Sequence, residues 1–392
     1  MMEKHALIGP GSSAVLAEVA RRYGAPPGAP HRTAIVVGPG FAARVWSAEI
    51  RQVTRSLLPA WLTHAGAVQP SSVATLAREL QECGAAVVVA IGGGSVLDAA
   101  KAATRLMGTA GLDADAVVAA CEGELEPAPA VARMVAVPTT PGTGAEVTPF
   151  ATVWDTDHGR KLSLSGDGVA PAACILDPNL LRGLHAAQLC GSLLDTLCQG
   201  AEAAWSTRAT AESTSYGLAA VALVGPMLDR LDPHRPSGSE LFTSQLAGHL
   251  SGHAIAAAPT SSCHALSYPL TLRAGLAHGH ACGVTFGRML RYNAAVDETD
   301  CADPRGVQRV RAVIGRIVAA LGAQDPAEAD DRVESFLRRH GLATLDEVPV
   351  APDVLAGEAL RYPRSRDNPR TLTVARLTRQ LAQRQTAEEP CR

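Results

Sequence analysis

Four features that would assign a chain to a broad class are missing from this sequence. The 392 residues carry a net charge of only −3, which argues against nucleic acid or an anionic membrane as a partner. No uninterrupted apolar run is long enough to span a bilayer, no secretory-type segment stands at the N-terminus, and no internal repeat is present. We therefore expect a cytoplasmic globular protein, large enough at 47% hydrophobic residues for two domains.

The cysteines do not form the pattern of a disulfide framework. They are odd in number, scattered along the chain, and often lie inside apolar runs. This distribution indicates a reduced, cytoplasmic protein. The nine positions are Cys83, Cys121, Cys174, Cys190, Cys198, Cys263, Cys282, Cys301 and Cys391.

Strand-length apolar runs alternate with helical patterns in the first half of the chain. This alternation predicts parallel strands with helices on both faces of a sheet. After Pro178 the strand signal fades, and alanine- and leucine-rich helical segments dominate. The sequence predicts an α/β dinucleotide-binding domain at 1–182 and an all-helical domain at 183–392. The strands are predicted at 33–37, 87–91, 134–137 and 174–177, and two of the helices at 72–82 and 96–106.

A glycine-rich segment, Gly92-Gly93-Gly94-Ser95, follows an apolar strand and opens a helix. Consecutive glycines let the backbone approach an anion, and the free amides of a helix N-terminus point at it. Taken alone, such a loop is as readily an ordinary tight turn. A second buried strand runs into a hydroxyl- and glycine-rich turn at 138–146, and two such turns in one sheet favour a nucleotide site.

In order and spacing, GGGSxxDxAK at 92–101 and PTTPGTGAEVT at 138–148 resemble the iron-containing alcohol dehydrogenase family. The similarity covers nearly the whole chain. It implies a Rossmann-like α/β domain followed by an all-α metal-binding domain, the architecture also found in dehydroquinate synthase. It further implies an NAD(P)-dependent alcohol dehydrogenase or aldehyde reductase that forms a homodimer or a larger homo-oligomer.

The resemblance assigns the cofactor to both turns. The turn after the first predicted strand, at 37–40, reads Val-Gly-Pro-Gly and lacks the acid that would repel a 2′-phosphate. The missing acid leaves NADPH open, but no arginine at the turn invites a 2′-phosphate, and NADH is favoured. The cofactor-binding residues implied by the motifs are Gly93, Gly94, Ser95, Asp98, Thr139, Thr140, Thr143 and Lys161.

In the same family a divalent metal is held by an aspartate, a histidine four residues later, and two further histidines. Asp195, His264 and His278 match three of these positions, but Gln199 stands at the remaining one. A glutamine oxygen is a neutral and poorer donor than imidazole for Fe(II), the favoured metal, or for Zn(II). Three interpretations stay open: a weakened Asp/Gln/His/His site, a three-ligand site with extra water, or a site without metal. Cys198 is interpreted as a packed core thiol rather than a substitute ligand.

The segments CHALSYPLTLR and GLAHGHAC around the two histidines are narrower than the family pattern. They resemble the branch that reduces phosphonoacetaldehyde to 2-hydroxyethylphosphonate in phosphonate natural-product pathways. A small anionic aldehyde needs cations, and Arg273 and Arg370 are the predicted phosphonate ligands. Tyr268, where many relatives have histidine, and His280 are the predicted catalytic residues. Water or a ribose hydroxyl could equally supply the proton.

Other functions are weighed against this interpretation. A general short-chain alcohol or aldehyde dehydrogenase of the same family is the first. A cyclase of the dehydroquinate synthase group is another, but its lysine-rich phosphate site is not evident here. The last is a nucleotide-binding protein with a decayed metal site, which Gln199 motivates. The intact cofactor turns and three retained ligands argue against full decay.

Overall fold

A computed structural model describes residues 5–24, 32–166 and 168–383. The chain divides into two compact units. Of the described residues, the first unit contains those up to Leu184 together with Ser237–Gly252, and the second contains His185–Pro236 and those from His253 onward. The sequence predicted one division, between 182 and 183. The structure differs by assigning Ser237–Gly252 to the first unit.

The first unit is built on a parallel sheet. Eight strands are present in the described chain: β1 (His5–Ile8), β2 (Thr33–Val37), β3 (Ala60–Thr63), β4 (Val87–Gly92), β5 (Arg133–Pro138), β6 (Phe150–Asp155), β7 (Arg160–Ser165) and β8 (Ala173–Leu176). Six of them form one parallel sheet in the order β1-β8-β5-β4-β2-β3, and β6 and β7 form an antiparallel pair. The predicted α/β class is confirmed, and each of the four predicted strands is present to within one residue at either end.

Helices cover both faces of this sheet. They are α1 (Leu16–Arg22), α2 (Ser47–Thr54), α3 (Pro70–Glu82), α4 (Gly94–Leu106) and α5 (Ala114–Glu122). Alternate residues of β4 enter two different cores: Val88 packs in a cluster with Leu97 of α4, and Val89 in a cluster with Ile50 of α2. Burial on both faces explains why β4 is a continuous apolar run rather than an alternating one.

The second unit is helical. The helices after the sheet are α6 (Ala186–Trp205), α7 (Ala211–Arg230), α8 (Gly238–Ala257), α9 (Ser262–Ala274), α10 (His278–Ala294), α11 (Val307–Ala320), α12 (Pro326–Arg339), α13 (Pro352–Ala359) and α14 (Val374–Ala382). In α6 every residue from Leu193 to Trp205 is buried, including Asp195, Gln199 and Glu202. Polar groups buried in a helix of this kind require specific partners.

The eight cysteines in the described residues are free thiols. Cys391 lies outside the described residues. No helix in the described parts of the chain combines the length and the apolar character needed to cross a bilayer.

Most of α8 belongs to the first unit because its backbone contacts the turn after β5. A Cβ atom added at Gly248 would lie 2.5 Å from the carbonyl oxygen of Pro141. Gly144 has a φ of +62°, and a Cβ atom there would lie 2.3 Å from the Cα of Gly252. Only glycine permits contacts this close. The α8 helix therefore supports the second of the two glycine-rich turns.

We expect Gly248→Ala to destabilise the first unit, because the new methyl group has to displace the backbone of the turn. Overpacking of this kind lowers the free energy of unfolding by about 1–3 kcal/mol. Gly238→Ala, in the same helix but with no atom within 4 Å of the added Cβ, is the matched control and should change little. Thermal and urea unfolding of the two variants checks this. Equal stability of both would show that α8 does not support the turn.

Candidate active site

The two glycine-rich turns lie side by side at one edge of the sheet. They follow β4 and β5, which are paired in parallel with Gly92 opposite Pro138. The backbone amide of Thr139 donates to the carbonyl oxygen of Gly92 across 2.9 Å. Ligands of open parallel sheets bind outside the carboxyl ends of the strands, which is where these turns lie.

Threonine side chains of the second turn lie close to the glycines of the first. A Cβ atom at Gly93 would lie 3.1 Å from the side chain of Thr140, and one at Gly94 would lie 2.6 Å from that of Thr143. Helix α4 begins at Gly94, and Ser95 in its first turn is exposed. The structure thus brings six predicted cofactor residues to one helix N-terminus, an arrangement that suits a diphosphate: Gly93, Gly94, Ser95, Thr139, Thr140 and Thr143.

Two other predicted cofactor residues have partners within the first unit. Asp98 accepts a hydrogen bond from the amide of Thr152 at 3.1 Å and forms an ion pair with the buried Lys101, also at 3.1 Å. Lys161 lies on β7, with its ammonium group 5.4 Å from the ring centre of Trp154. Their contact with a cofactor stays a prediction.

Four potential metal ligands converge in the second unit: Asp195 on α6, His264 on α9, and His278 and Cys282 on α10. One ligand atom from each lies within 4.8 Å of all the others. The carboxylate oxygen Oδ1 of Asp195 is 3.4 Å from Nε2 of His264 and 3.8 Å from Nε2 of His278. The sulfur of Cys282 is 3.9 Å from Nε2 of His278.

These separations fit the donor set to a divalent metal. Bonds of about 2.0–2.3 Å in a tetrahedral site place neighbouring ligand atoms about 3.3–3.8 Å apart. The observed values of 3.4 and 3.8 Å lie within that range, and the value of 3.9 Å lies just above it. Carboxylate, imidazole and thiolate are all ligands of Fe(II) and Zn(II). The predicted grouping of Asp195, His264 and His278 is therefore present in the structure.

Glycines hold α6 and α10 in backbone contact beside this group. A Cβ atom at Gly279 would lie 2.0 Å from the carbonyl oxygen of Gly191 and 3.1 Å from the Cβ of Asp195. One turn later, a Cβ atom at Gly283 would lie 2.7 Å from the Cβ of Leu194. The start of α10 is thereby fixed next to the aspartate, so its ligands reach the site without long side chains.

A buried carboxylate orients the histidine of α9. One oxygen of Glu202 accepts hydrogen bonds from the backbone amide of Cys263 at 2.6 Å and from the hydroxyl of Ser261 at 3.1 Å. Its other oxygen pairs with Nδ1 of His264. A proton held at Nδ1 leaves Nε2, the nitrogen facing Asp195, available to a metal.

The charges in this group favour a cation. Burial lowers the pKa of His264, but the neighbouring Cys282, Glu202 and Asp195 outweigh burial and raise that pKa well above its ordinary value. Burial also raises the pKa of Cys282, but His264 and His278 outweigh it and lower the thiol pKa to about 7. A proton or a metal ion is therefore stabilised beside these acidic groups.

Gln199 lies on α6 one turn after Asp195 and is only 3% exposed. Its role as a ligand stays a prediction. Cys198 is fully buried and shares a hydrogen bond with Cys263. It is not a member of the four-residue group, in agreement with its interpretation as a core thiol.

The two predicted catalytic residues lie on α9 and α10. Tyr268, one turn after His264, is buried and packs edge-on against Tyr362 with ring centres 4.5 Å apart. His280 donates from Nε2 to the carbonyl oxygen of Ala343 at 2.7 Å, so that nitrogen is engaged by the backbone. His280 is not a member of the metal-ligand group.

Both predicted phosphonate ligands have carboxylate partners. Arg273, at the end of α9, pairs with Glu358. Arg370 pairs with Asp300 at 2.9 Å and lies over the ring of Tyr292. Binding of a phosphonate by either arginine requires it to exchange or share its present partner.

Sequence reasoning did not identify two of the site residues. Cys282 appeared only as one of nine scattered cysteines, although its position four residues after His278 puts both on one helix face. Glu202 was not singled out in the sequence, although its spacing of seven residues from Asp195 is that of one helix face.

We expect Gly279→Ala to move α10 away from α6 and to weaken metal binding at least about tenfold, since the added methyl group overlaps a backbone carbonyl. Gly315→Ala, inside α11 with no atom within 4 Å of the new Cβ, should bind metal normally. Chelator competition with Zn(II) measures both affinities. Unchanged affinity in Gly279→Ala would mean that the helix contact does not set the site.

Glu202→Gln removes the negative charge behind His264 while keeping the size of the side chain. We expect metal affinity to fall about 10- to 100-fold, as is typical when such a supporting group is lost. Glu358→Gln, which alters a carboxylate outside the site, is the control and should leave affinity unchanged. Isothermal titration with Zn(II) distinguishes the two results, and equal affinities would argue against an orienting role for Glu202.

Two family models together match nearly the whole chain. Residues 4–178 match the model described as iron-containing alcohol dehydrogenase. Residues 190–383 match the C-terminal model of the Fe-containing alcohol dehydrogenase family.

Individual relatives extend this result. The chain is 52% identical to the phosphonoacetaldehyde reductase of Streptomyces viridochromogenes over 365 residues, covering 92% of this chain and 91% of the relative. It is 29% identical to the probable alcohol dehydrogenase EutG of Escherichia coli, covering 62% of each. Among solved structures, sulfoacetaldehyde reductase from Bifidobacterium kashiwanohense in complex with NAD+ has the same fold, with a TM-score of 0.80, 23% identity, and coverage of 97% of this chain and 96% of that one. The chain belongs to the iron-containing alcohol dehydrogenase family.

Proposed function

We propose that the chain reduces phosphonoacetaldehyde to 2-hydroxyethylphosphonate with NADH. The observation that carries this proposal is the 52% identity to a phosphonoacetaldehyde reductase along almost the full length of both chains. Family membership makes the chain an NAD-dependent oxidoreductase that uses a divalent metal. The substrate, phosphonoacetaldehyde, is assigned to this chain from the name of that relative.

The residues of the site have separate roles in the proposed reaction. The turns after β4 and β5 would hold NADH, which would supply the hydride, and Asp195, His264 and His278 would hold a divalent metal, which would supply Lewis-acid chemistry at the carbonyl oxygen. Asp195 contributes negative charge to the metal site, and Glu202 keeps His264 in the tautomer that can bind there. The product oxygen then takes one proton, so each turnover consumes the aldehyde, one NADH and one proton. Water, a ribose hydroxyl and Tyr268 are the candidate proton donors.

The site offers a route of access that fits a small substrate. The side chain of His278 is 37% exposed, whereas those of Asp195 and His264 are at most 6% exposed. The cluster of potential metal ligands is thus exposed to solvent at His278 and buried at Asp195 and His264. A small aldehyde has access to a site of this form, while the buried carboxylates stay screened from bulk water.

The phosphonate requires cations, and three arginines of the second unit are candidates. Arg273 and Arg370 are the predicted ligands, each at present paired with a carboxylate. Arg364 donates to the hydroxyl of Thr260 at 2.5 Å, four residues before His264 in the chain. The occupied state of the first two favours one alternative function, a general short-chain aldehyde reductase without phosphonate selectivity.

The remaining assignments belong to the same proposal. NADH is preferred to NADPH because no arginine at the turn after β2 invites a 2′-phosphate. Fe(II) is the favoured metal and Zn(II) the alternative. The enzyme acts in the cytoplasm as a homodimer or larger homo-oligomer, and the free thiols of the described cysteines support the reducing compartment.

Selectivity for the phosphonate group tests the substrate. We expect kcat/KM for phosphonoacetaldehyde to exceed that for propanal and lactaldehyde at least about tenfold, since charge-assisted hydrogen bonds contribute about 1.5–3 kcal/mol each. Initial rates with NADH and NADPH, measured on metal-depleted enzyme reloaded with Fe(II) or Zn(II), give these values. Equal rates with the three aldehydes would refute the phosphonate assignment and favour the general reductase.

The same assay identifies the phosphonate ligand. Arg273→Gln, Arg364→Gln and Arg370→Gln are compared with Arg338→Gln, a surface residue paired with Glu334, as the control. A true ligand raises KM for phosphonoacetaldehyde and leaves KM for propanal unchanged. A residue that only stabilises the fold affects both aldehydes alike.

A further inference from the structure

We propose that Cys282 supplies the fourth protein ligand of the metal through its thiolate sulfur, in an Asp195–His264–His278–Cys282 site. Nothing in the sequence pattern of the family assigns a ligand to this position. The proposal rests on the proposed function only in that a divalent metal binds here. It does not depend on which aldehyde is reduced.

The first support is the position of the sulfur. Cys282 stands one turn after His278 on α10, so both side chains point from the same face of that helix. Its sulfur is 3.9 Å from Nε2 of His278 and also contacts His264 by a side-chain hydrogen bond. A thiol that only fills a core is surrounded by apolar groups, whereas this one faces two imidazoles and a carboxylate.

The second support is the chemistry of the alternative. Gln199 holds the position of the family's fourth ligand, but its amide oxygen is neutral. A thiolate is charged and binds Fe(II) and Zn(II) more strongly than an amide does. Replacement of a histidine by Gln199 on α6 is therefore compensated by a ligand on α10. This proposal adds a fourth interpretation of the metal site to the three given by the sequence. In it, the metal has four protein ligands, and Cys282 takes the place of the missing histidine.

Four protein ligands still permit catalysis. Catalytic Zn(II) sites sometimes expand to five ligands, so a site with four protein ligands would still have a position for a substrate oxygen. A bound divalent metal would be held by the Cys282 thiolate, whose proton would pass to solvent, so the site would carry two anionic ligands, Asp195 and Cys282. These two anionic ligands neutralise the charge of a divalent ion in this mostly buried group.

The other buried thiols nearby provide a matched comparison. Cys198 and Cys263 are both fully buried and hydrogen-bonded to each other. Neither belongs to the four-residue group. A cysteine-to-alanine change at Cys198 therefore removes a neighbouring sulfur of equal burial without removing a proposed ligand.

Cobalt substitution tests the proposal without an activity assay. Co(II) bound by a thiolate gives a near-ultraviolet sulfur-to-metal charge-transfer band, which nitrogen and oxygen ligands do not give. We expect the band in the wild type and in Cys198→Ala and Gln199→Ala, and its loss in Cys282→Ala and Cys282→Ser. Metal affinity should fall more than about tenfold in the Cys282 variants. Far-ultraviolet circular dichroism verifies that each variant is folded.

Each other outcome overturns the proposal. Co(II) bound without the band would mean that no thiolate ligates it, and a band that persists in folded Cys282→Ala would assign the sulfur to another cysteine. Loss of Co(II) binding in Gln199→Ala but not in Cys282→Ala would return the fourth position to the amide. If the wild type binds no Co(II), Zn(II) or Fe(II), the four residues do not form a metal site. A failed preference for phosphonoacetaldehyde leaves all of these readings unchanged, so the two proposals fail separately.

Discussion

The backbone contact between α6 and α10 is the constraint on which the helical unit depends. Side chains of ordinary size keep packed helices about 8–10 Å apart, and a carboxylate on one helix then reaches the first turn of the other only poorly. Gly191 and Gly279 allow the two helices to approach more closely than this. A Cβ atom at Gly279 would lie only 2.0 Å from the carbonyl oxygen of Gly191. The candidate ligands therefore project from helices whose positions are fixed by backbone contact. The geometry of the site depends on the placement of these helices more than on side-chain rotamers.

Local patterns were sufficient for the parts of the fold in which neighbours along the chain decide the structure. The run 87–91 is apolar throughout because both faces of β4 are covered, and this made its position and its parallel setting predictable. The contact of Gly248 with Pro141 joins residues more than a hundred positions apart, and neither sequence has a periodicity that reveals it. The assignment of Ser237–Gly252 to the first unit could therefore not be read from the sequence.

The site shows the same division. Asp195, His264 and His278 were predictable because their types and spacing match a family pattern. Cys282 was not, because a pattern describes the positions that a family uses and does not register a ligand transferred to another helix. Glu202 was not predictable for a different reason. Its carboxylate lies on α6 but accepts a hydrogen bond from the first turn of α9 and pairs with His264 on that helix. Both contacts depend on the packing of α6 against α9, which the sequence does not show.

Helix α8 has a consequence for how the protein is made. It begins in the first unit and ends in the second, so the chain leaves the first unit after Leu184 and returns to it at Ser237. Domains fold as units as the chain emerges from the ribosome, N-terminal parts first. Here the sheet is synthesised well before the helix that supports the turn at Gly144. A fragment that stops after β8 thus contains all of the described strands but lacks the helix against which that turn packs.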